Sequence, residues 1–278
     1  MPTFATPEPI TVKLATAGVQ VRIATTERPD TVVTVQPINS AIESDVKVAE
    51  RTKVDFSNGT LSIETSKSGE RTGSAAIAVE LPVGSRLLIN TVWTDVHANG
   101  RFGDCELHVA SGGKFQLDHV GSLKASLTAG DVIVGRVAGT AVIENSSAAL
   151  WLGEIEGAVR YRASSGTIRI GHALAAVDLS TSSGGIEVDR ADGDVVAKAA
   201  NCPIRIGRLT RGTAELENSS GGIEVGVSEY TSAVVDAEST KGTVRNSLPV
   251  QDAGQSGDSV KIHARNRHGD IVLRRALD

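Results

Sequence analysis

Aromatic residues make up only 3% of this 278-residue chain: two Trp, two Tyr and four Phe. So few rings leave few stacking platforms, which counts against nucleic acid as a partner and against most sugar-binding clefts. Two cysteines, Cys105 and Cys202, are too few for a disulfide framework or a structural zinc site. The net charge of -5, from 28 basic and 33 acidic residues, is too mild for a polyanion-binding protein or an acidic tail. No apolar run approaches the roughly 20 residues of a membrane span, so membrane insertion is not expected. The opening MPTFATPEPI has neither a basic stretch nor the apolar core of a secretory signal, and a cytoplasmic location is expected from it. No segment shows a convincing helical period. The remaining balance, 40% hydrophobic and 22% charged, describes an ordinary chain able to bury a core.

Glycine is abundant, 29 residues against 8 prolines, and much of it falls in a repeat. Ser164-Ser165-Gly166-Thr167-Ile168-Arg169-Ile170, Ser182-Ser183-Gly184-Gly185-Ile186-Glu187-Val188 and Ser219-Ser220-Gly221-Gly222-Ile223-Glu224-Val225 share one unit, with a degenerate copy at Asn201-Cys202-Pro203-Ile204. The first apolar residue after each turn is Val96, Phe115, Val132, Leu150, Ile168, Ile186, Ile204, Ile223, Val244 and Ile271, at spacings of 19, 17, 18, 18, 18, 18, 19, 21 and 27. A second alternating run precedes each turn, as in Val177-Asp178-Leu179-Ser180-Thr181. Alternation is strand periodicity, and a unit this short has no room for a crossover helix. The pattern predicts an all-β fold, a parallel β-solenoid (β-helix) with coils of about 18 residues.

Residues 1–90 lack that period. Shorter alternating runs there, one of them Val46 to Val48, and a hairpin signal at Asn58-Gly59 predict an antiparallel β region capping a solenoid over residues 91–278. Ser66 to Ser74 and Ser247 to Asp258 read as loops, with Arg274, Arg275 and Asp278 expected to guard the last edge. Stacking predicts two outward columns. One is Gln116, Ile133, Trp151, Arg169, Glu187, Arg205, Glu224 and Arg245; the other is Arg160, Asp178, Val196, Glu215 and Asp236. Opposite charges one rung apart, at about 4.8 Å, each contribute a few tenths to about 1 kcal/mol.

The Leu81-Pro82-Val83-Gly84 step followed by repeated Ser-Gly-x-Ile-x-Ile turns resembles the bacterial β-strand-repeat proteins of unknown function, often labelled adhesin-like. The opening Phe4-Ala5-Thr6-Pro7-Glu8-Pro9-Ile10 and the closing His268-Gly269-Asp270-Ile271-Val272-Leu273 resemble an actinobacterial branch without a signal peptide. The resemblance covers nearly the whole chain. It implies a β-solenoid and supplies no activity and no catalytic residues.

An acidic set, Asp178, Glu215, Glu217, Asp236 and Glu238, falls on outward positions of neighbouring second strands. Paired carboxylates there fit a carbohydrate-active lyase or hydrolase, or a Ca²⁺ site; the plainer reading is a solvated face. The six histidines lack zinc spacing, and the glycine turns lack the helix and Lys-Ser/Thr of a phosphate loop. Cys202 is either a reactive thiol or an incidental corner residue. Ile133, Val142 and Trp151 beside Arg169 form a candidate interaction patch, because large apolar residues stand where neighbouring coils carry charge. The expectation is a non-catalytic cytoplasmic scaffold or interaction module without cofactor. It binds a protein partner or self-associates, and a small-molecule ligand is not expected. A carbohydrate-active enzyme is the first alternative and an adhesin or lectin the second.

Overall fold

A computed structural model describes residues 2–65, 73–249 and 258–276. The expected loops at Ser66 to Ser74 and Ser247 to Asp258 lie largely outside these residues, as does Asp278. The chain divides into two compact units, Met1–Ala138 and Gly139–Asp278.

In the first unit, β1 (Thr3–Ala5), β2 (Thr11–Ala17), β3 (Gln20–Thr26) and β4 (Asp30–Pro37) precede one helix, α1 (Glu43–Arg51). Then come β5 (Lys53–Ser57), β6 (Thr60–Glu64), β7 (Ala75–Pro82), β8 (Arg86–Val92), β9 (Asp95–Ser111), β10 (Lys114–Leu127) and β11 (Asp131–Val137). The antiparallel pairs expected in residues 1–90 are confined to the outside: β5 on β6, β4 on β7 and β1 on β4. Within them the layers are parallel. β2 lies between β6 and β8, and β3 between β7 and β9. The hairpin at Asn58-Gly59 forms as expected, with φ of 48° and 70° at the two positions, the geometry for which Asn-Gly is favoured.

The helix corrects the strand reading at Val46 to Val48. Alternation over three residues cannot separate a strand from a helix, and here Glu43 and Lys47, one turn apart, form an ion pair at 2.5 Å. Acidic Glu43 and Asp45 in the first turn and Arg51 in the last complement the helix dipole. The buried Asp45 carboxylate accepts hydrogen bonds from the Asn39 and Ser74 amides and fastens the helix in place.

The second unit contains β12 (Ala141–Asn145), β13 (Ala149–Ile155), β14 (Val159–Ala163), β15 (Thr167–Ala173), β16 (Val177–Ser183), β17 (Gly185–Ala191) and β18 (Val195–Asn201). It continues with β19 (Ile204–Leu209), β20 (Gly212–Ser220), β21 (Ile223–Val227), β22 (Ser232–Lys241), β23 (Val244–Asn246), β24 (Ser259–His268) and β25 (Ile271–Arg275). Two parallel ladders result, as the period requires. One runs β12, β14, β16, β18, β20. The other runs β13, β15, β17, β19, β21. Leu150, Ile168, Ile186, Ile204 and Ile223 stand in register and are all buried, so each coil covers its neighbours' apolar edge.

Buried asparagines close the corners. Asn145, Asn218 and Asn266 donate to the carbonyls of Ala148, Cys202 and Gly221 at 2.8, 2.8 and 2.7 Å, satisfying backbone oxygens where the ladder is interrupted. At the Gly184 corner φ is +104°, and a Cβ there would stand 2.4 Å from the Gly166 carbonyl oxygen, so the turn admits only glycine.

The last two coils stack out of chain order. β24 lies between β20 and β22, and β25 between β21 and β23, all parallel. Ile271 therefore rests on Ile223, and Val244 rests on Ile271, which corrects the expected sequence-order stack. Side-chain quality accounts for the order. β24 and β25 bring Val260, Ile262, Ile271 and Leu273, all fully buried, whereas β23 offers only Val244 and Asn246 opposite β25, both exposed. The better apolar coil takes the inner layer and the poorer one the outer. Arg274 and Arg275 consequently do not guard an edge. Arg274 pairs with Glu224, and Arg275 donates to the carbonyls of Ser228 and Thr231, pinning the turn that leads into β22.

Candidate functional site

The strand alternation that buries the isoleucines turns their neighbours outward on the β13 ladder. Trp151, Arg169, Glu187, Arg205 and Glu224 stand one above the next in register. Arg169 lies 3.9 Å from Glu187 and 3.0 Å from Asp189; Arg205 lies 3.9 Å from both Glu187 and Glu224. The alternating-charge column is real up to Glu224, but the next rung is Val272, and Arg245 comes only after it. Beside this column Arg169, Arg190, Arg205, Arg208 and Arg274 border a shallow groove of about 550 Å³ with Glu187 and Asp189. Its floor includes Gly207, where a Cβ would stand 2.6 Å from the Asp189 carbonyl oxygen.

In the expected apolar patch Trp151 stands beside Arg169, with the residue 39% exposed. Val142 is exposed but belongs to the other ladder, where its neighbour is Arg160. Ile133 is exposed on β11 of the first unit, in register with Gln116. All three apolar side chains are exposed, with Val142 on the companion strand as expected and Trp151 in register with Arg169.

The acidic set on the β12 ladder does not gather as carboxylates. Because β24 is interposed, His263 separates Glu215 from Asp236, and Arg265 separates Glu217 from Glu238. Arg162 grips Asp178 with two hydrogen bonds of 3.0 and 2.5 Å, Arg265 holds Asp236 at 2.6 Å, and Lys198 holds Glu217 at 3.0 Å. The Arg162 hydrogen bonds hold the Asp178 carboxyl below the usual carboxylate range, and Arg265 does the same for Asp236. A glycosidase general acid needs the opposite shift, toward retention of its proton near neutrality.

Sequence reading passed over Asp192, a carboxylate only 11% exposed at the rim of the β13 ladder. His172 Nε2 lies 2.8 Å from it, Arg190 donates through Nε and Nη2 at 2.9 and 3.1 Å, and Thr210 Oγ1 donates at 2.8 Å. Burial opposes its ionisation, but these partners outweigh burial and leave the carboxyl at about 2. The available signal was a single acid where the adjacent coils carry Leu174 and Thr210.

Cys105 and Cys202 are both buried, and burial pushes both thiols up, away from the reactive thiolate. Among the described residues no three His, Cys, Asp or Glu side chains converge as a metal site. No described helix is long and apolar enough to cross a membrane.

Three solved structures are similar over nearly their full length. A "putative adhesin" of Bacteroides fragilis is 12% identical, with 98% of this chain and 95% of that one covered and a TM-score of 0.40. Another from Parabacteroides merdae is 10% identical, with 98% and 94% covered and a TM-score of 0.34. A "putative cell adhesion protein" of Clostridium sporogenes is 11% identical, with 99% and 98% covered and a TM-score of 0.19. No curated protein matches the chain. A family model described as Toastrack DUF4097, a domain of unknown function, matches residues 10–274 and so takes in both the parallel layers of the first unit and the ladders of the second; the chain belongs to that family.

Proposed function

We propose that this protein is a non-catalytic scaffold of the cytoplasm that docks a protein partner, in the simplest case a second copy of itself, through the face carrying Trp151 and Arg169. The observation that carries the reading is Trp151, a large ring held outward on a ladder whose next four rungs are Arg169, Glu187, Arg205 and Glu224. Covering it releases about 25 cal/mol per Å² of apolar surface, and Trp and Arg are the usual anchors of interfaces. The charged column running on from it supplies register and partner choice more than affinity. Ion pairing of the acidic face, with Asp178 and Asp236 held ionised, supports a structural role for that face.

Light scattering over a range of protein concentrations tests the self-association form. Wild type is expected above the monomer mass and Trp151→Ala at or near it. Loss of an exposed ring costs roughly 0.5 kcal/mol of fold stability or less, so the change reports contact. Monomer mass for both proteins removes self-association through this face. Fractionation of the producing cell is expected to leave the protein in the cytoplasmic fraction; recovery from the envelope or medium would end that part of the reading.

A further inference from the structure

The interposed coil, residues 259–275, is defined by its slot rather than by its place in the chain. On one side lie β20 and β21, on the other β22 and β23, and both sides hydrogen-bond to it in parallel register. The two walls stand two strand spacings apart, about 9.6 Å, so neither pairs with the other across the gap. Charge matches as well. The inserted coil carries Lys261, Arg265, Arg267, Arg274 and Arg275 against the single Asp270, while the walls carry Glu215, Glu217, Glu224, Asp236 and Glu238 against Lys241 and Arg245, the latter 3.6 Å from Asp270. Arg265 reaches Asp236 at 2.6 Å and Arg274 reaches Glu224 at 2.5 Å. Without the insert, a direct stack of β22 on β20 in the same phase would set Glu215 against Asp236 and Glu217 against Glu238, like charges on adjacent rungs.

The strand pairing and the ion pairs that hold this coil are thus made with the walls. We propose that residues 259–275 are an exchangeable donor coil, and that a second copy of the chain supplies the same coil to the slot, giving a reciprocal two-fold exchanged dimer. Exchange repeats the contacts of the closed monomer, so its cost is confined to association and the connecting segment. At dilution the tethered coil wins, because tethering gives an effective concentration on the order of mM. Exchange is expected when the chain is unfolded and refolded at high concentration. This inference does not rest on the Trp151 face, and its failure leaves that reading intact.

Glu217 and Arg265 are paired in register, and neighbouring parallel strands bring Cα atoms to about 4.8 Å, within disulfide range. The full-length double variant Glu217→Cys/Arg265→Cys is unfolded, refolded at low and at high concentration, oxidised, and run on a denaturing non-reducing gel. Glu217→Cys alone and Arg265→Cys alone serve as blanks for cross-links through other thiols. The expected result is monomer-mass product at low concentration and a covalent dimer, absent from both blanks, at high concentration. Monomer-mass product at every concentration overturns the proposal, even if light scattering shows a non-covalent dimer, because that dimer then uses another face. Thiols that stay free under oxidation also overturn it, since the register would be wrong.

Discussion

Ile262→Ala is expected to lower the unfolding free energy by about 2–5 kcal/mol, and Val235→Ala by about 1 kcal/mol or less. The two residues face each other in register one rung apart, so the comparison holds strand type and column constant. Only the layer differs. Ile262 is fully buried between β20 and β22, and truncating it leaves a cavity with walls on both sides. Among the described residues Val235 has a strand neighbour on one side and is already partly exposed, so its cavity collapses into solvent. Urea unfolding of the two variants measures the difference. If Val235→Ala proved the costlier, the coils would be stacked in chain order and the slot would not exist.

Asp192→Asn is expected to remove about 2–3 kcal/mol near neutral pH. The carboxyl falls from an ordinary 3.8 to about 2 on folding, and at about 1.4 kcal/mol per pH unit of displacement this is roughly 2.5 kcal/mol. The folded value is the lower of the two, so this stability is fully present above about pH 4 and is lost as pH falls toward 2. The asparagine variant keeps the shape, loses the charge that Arg190 and His172 face, and flattens the acid limb of stability between pH 4 and 2. Thermal unfolding of both proteins at stepped pH checks it. An acid limb as steep in the variant as in wild type would place the titrating carboxyl elsewhere.

Much of this architecture was legible because a solenoid presents the same environment to every coil. Ile168, Ile186 and Ile204 repeat because each meets the same neighbours, and the Ser-Gly corners repeat because each bends over the same backbone. Layer order at the end was not legible from the period, which fixes phase and says nothing of which coil sits on which. Glu215 has the same phase relative to Asp236 as to His263. What decided it was the apolar quality of the competing coils, Ile271 and Leu273 against Val244 and Asn246, a comparison the sequence allows but spacing does not make. Outward phase was legible for Ile133, Val142 and Trp151, all exposed, because alternation fixes which face of a strand a side chain takes. Asp192 escaped because a site occupied by an acid in one coil alone leaves no periodic trace.

The layers impose an order of assembly on a chain that emerges from the ribosome one end first. Strands β2 and β3 are made early yet wait for both of their flanks, which are complete only once β6 to β9 have been synthesised. In the second unit residues 259–275 belong inside residues 232–246, which are made before them. Winding the solenoid turn by turn in the direction of synthesis therefore finishes neither end, and each layer that is made early must leave room for one that is made later.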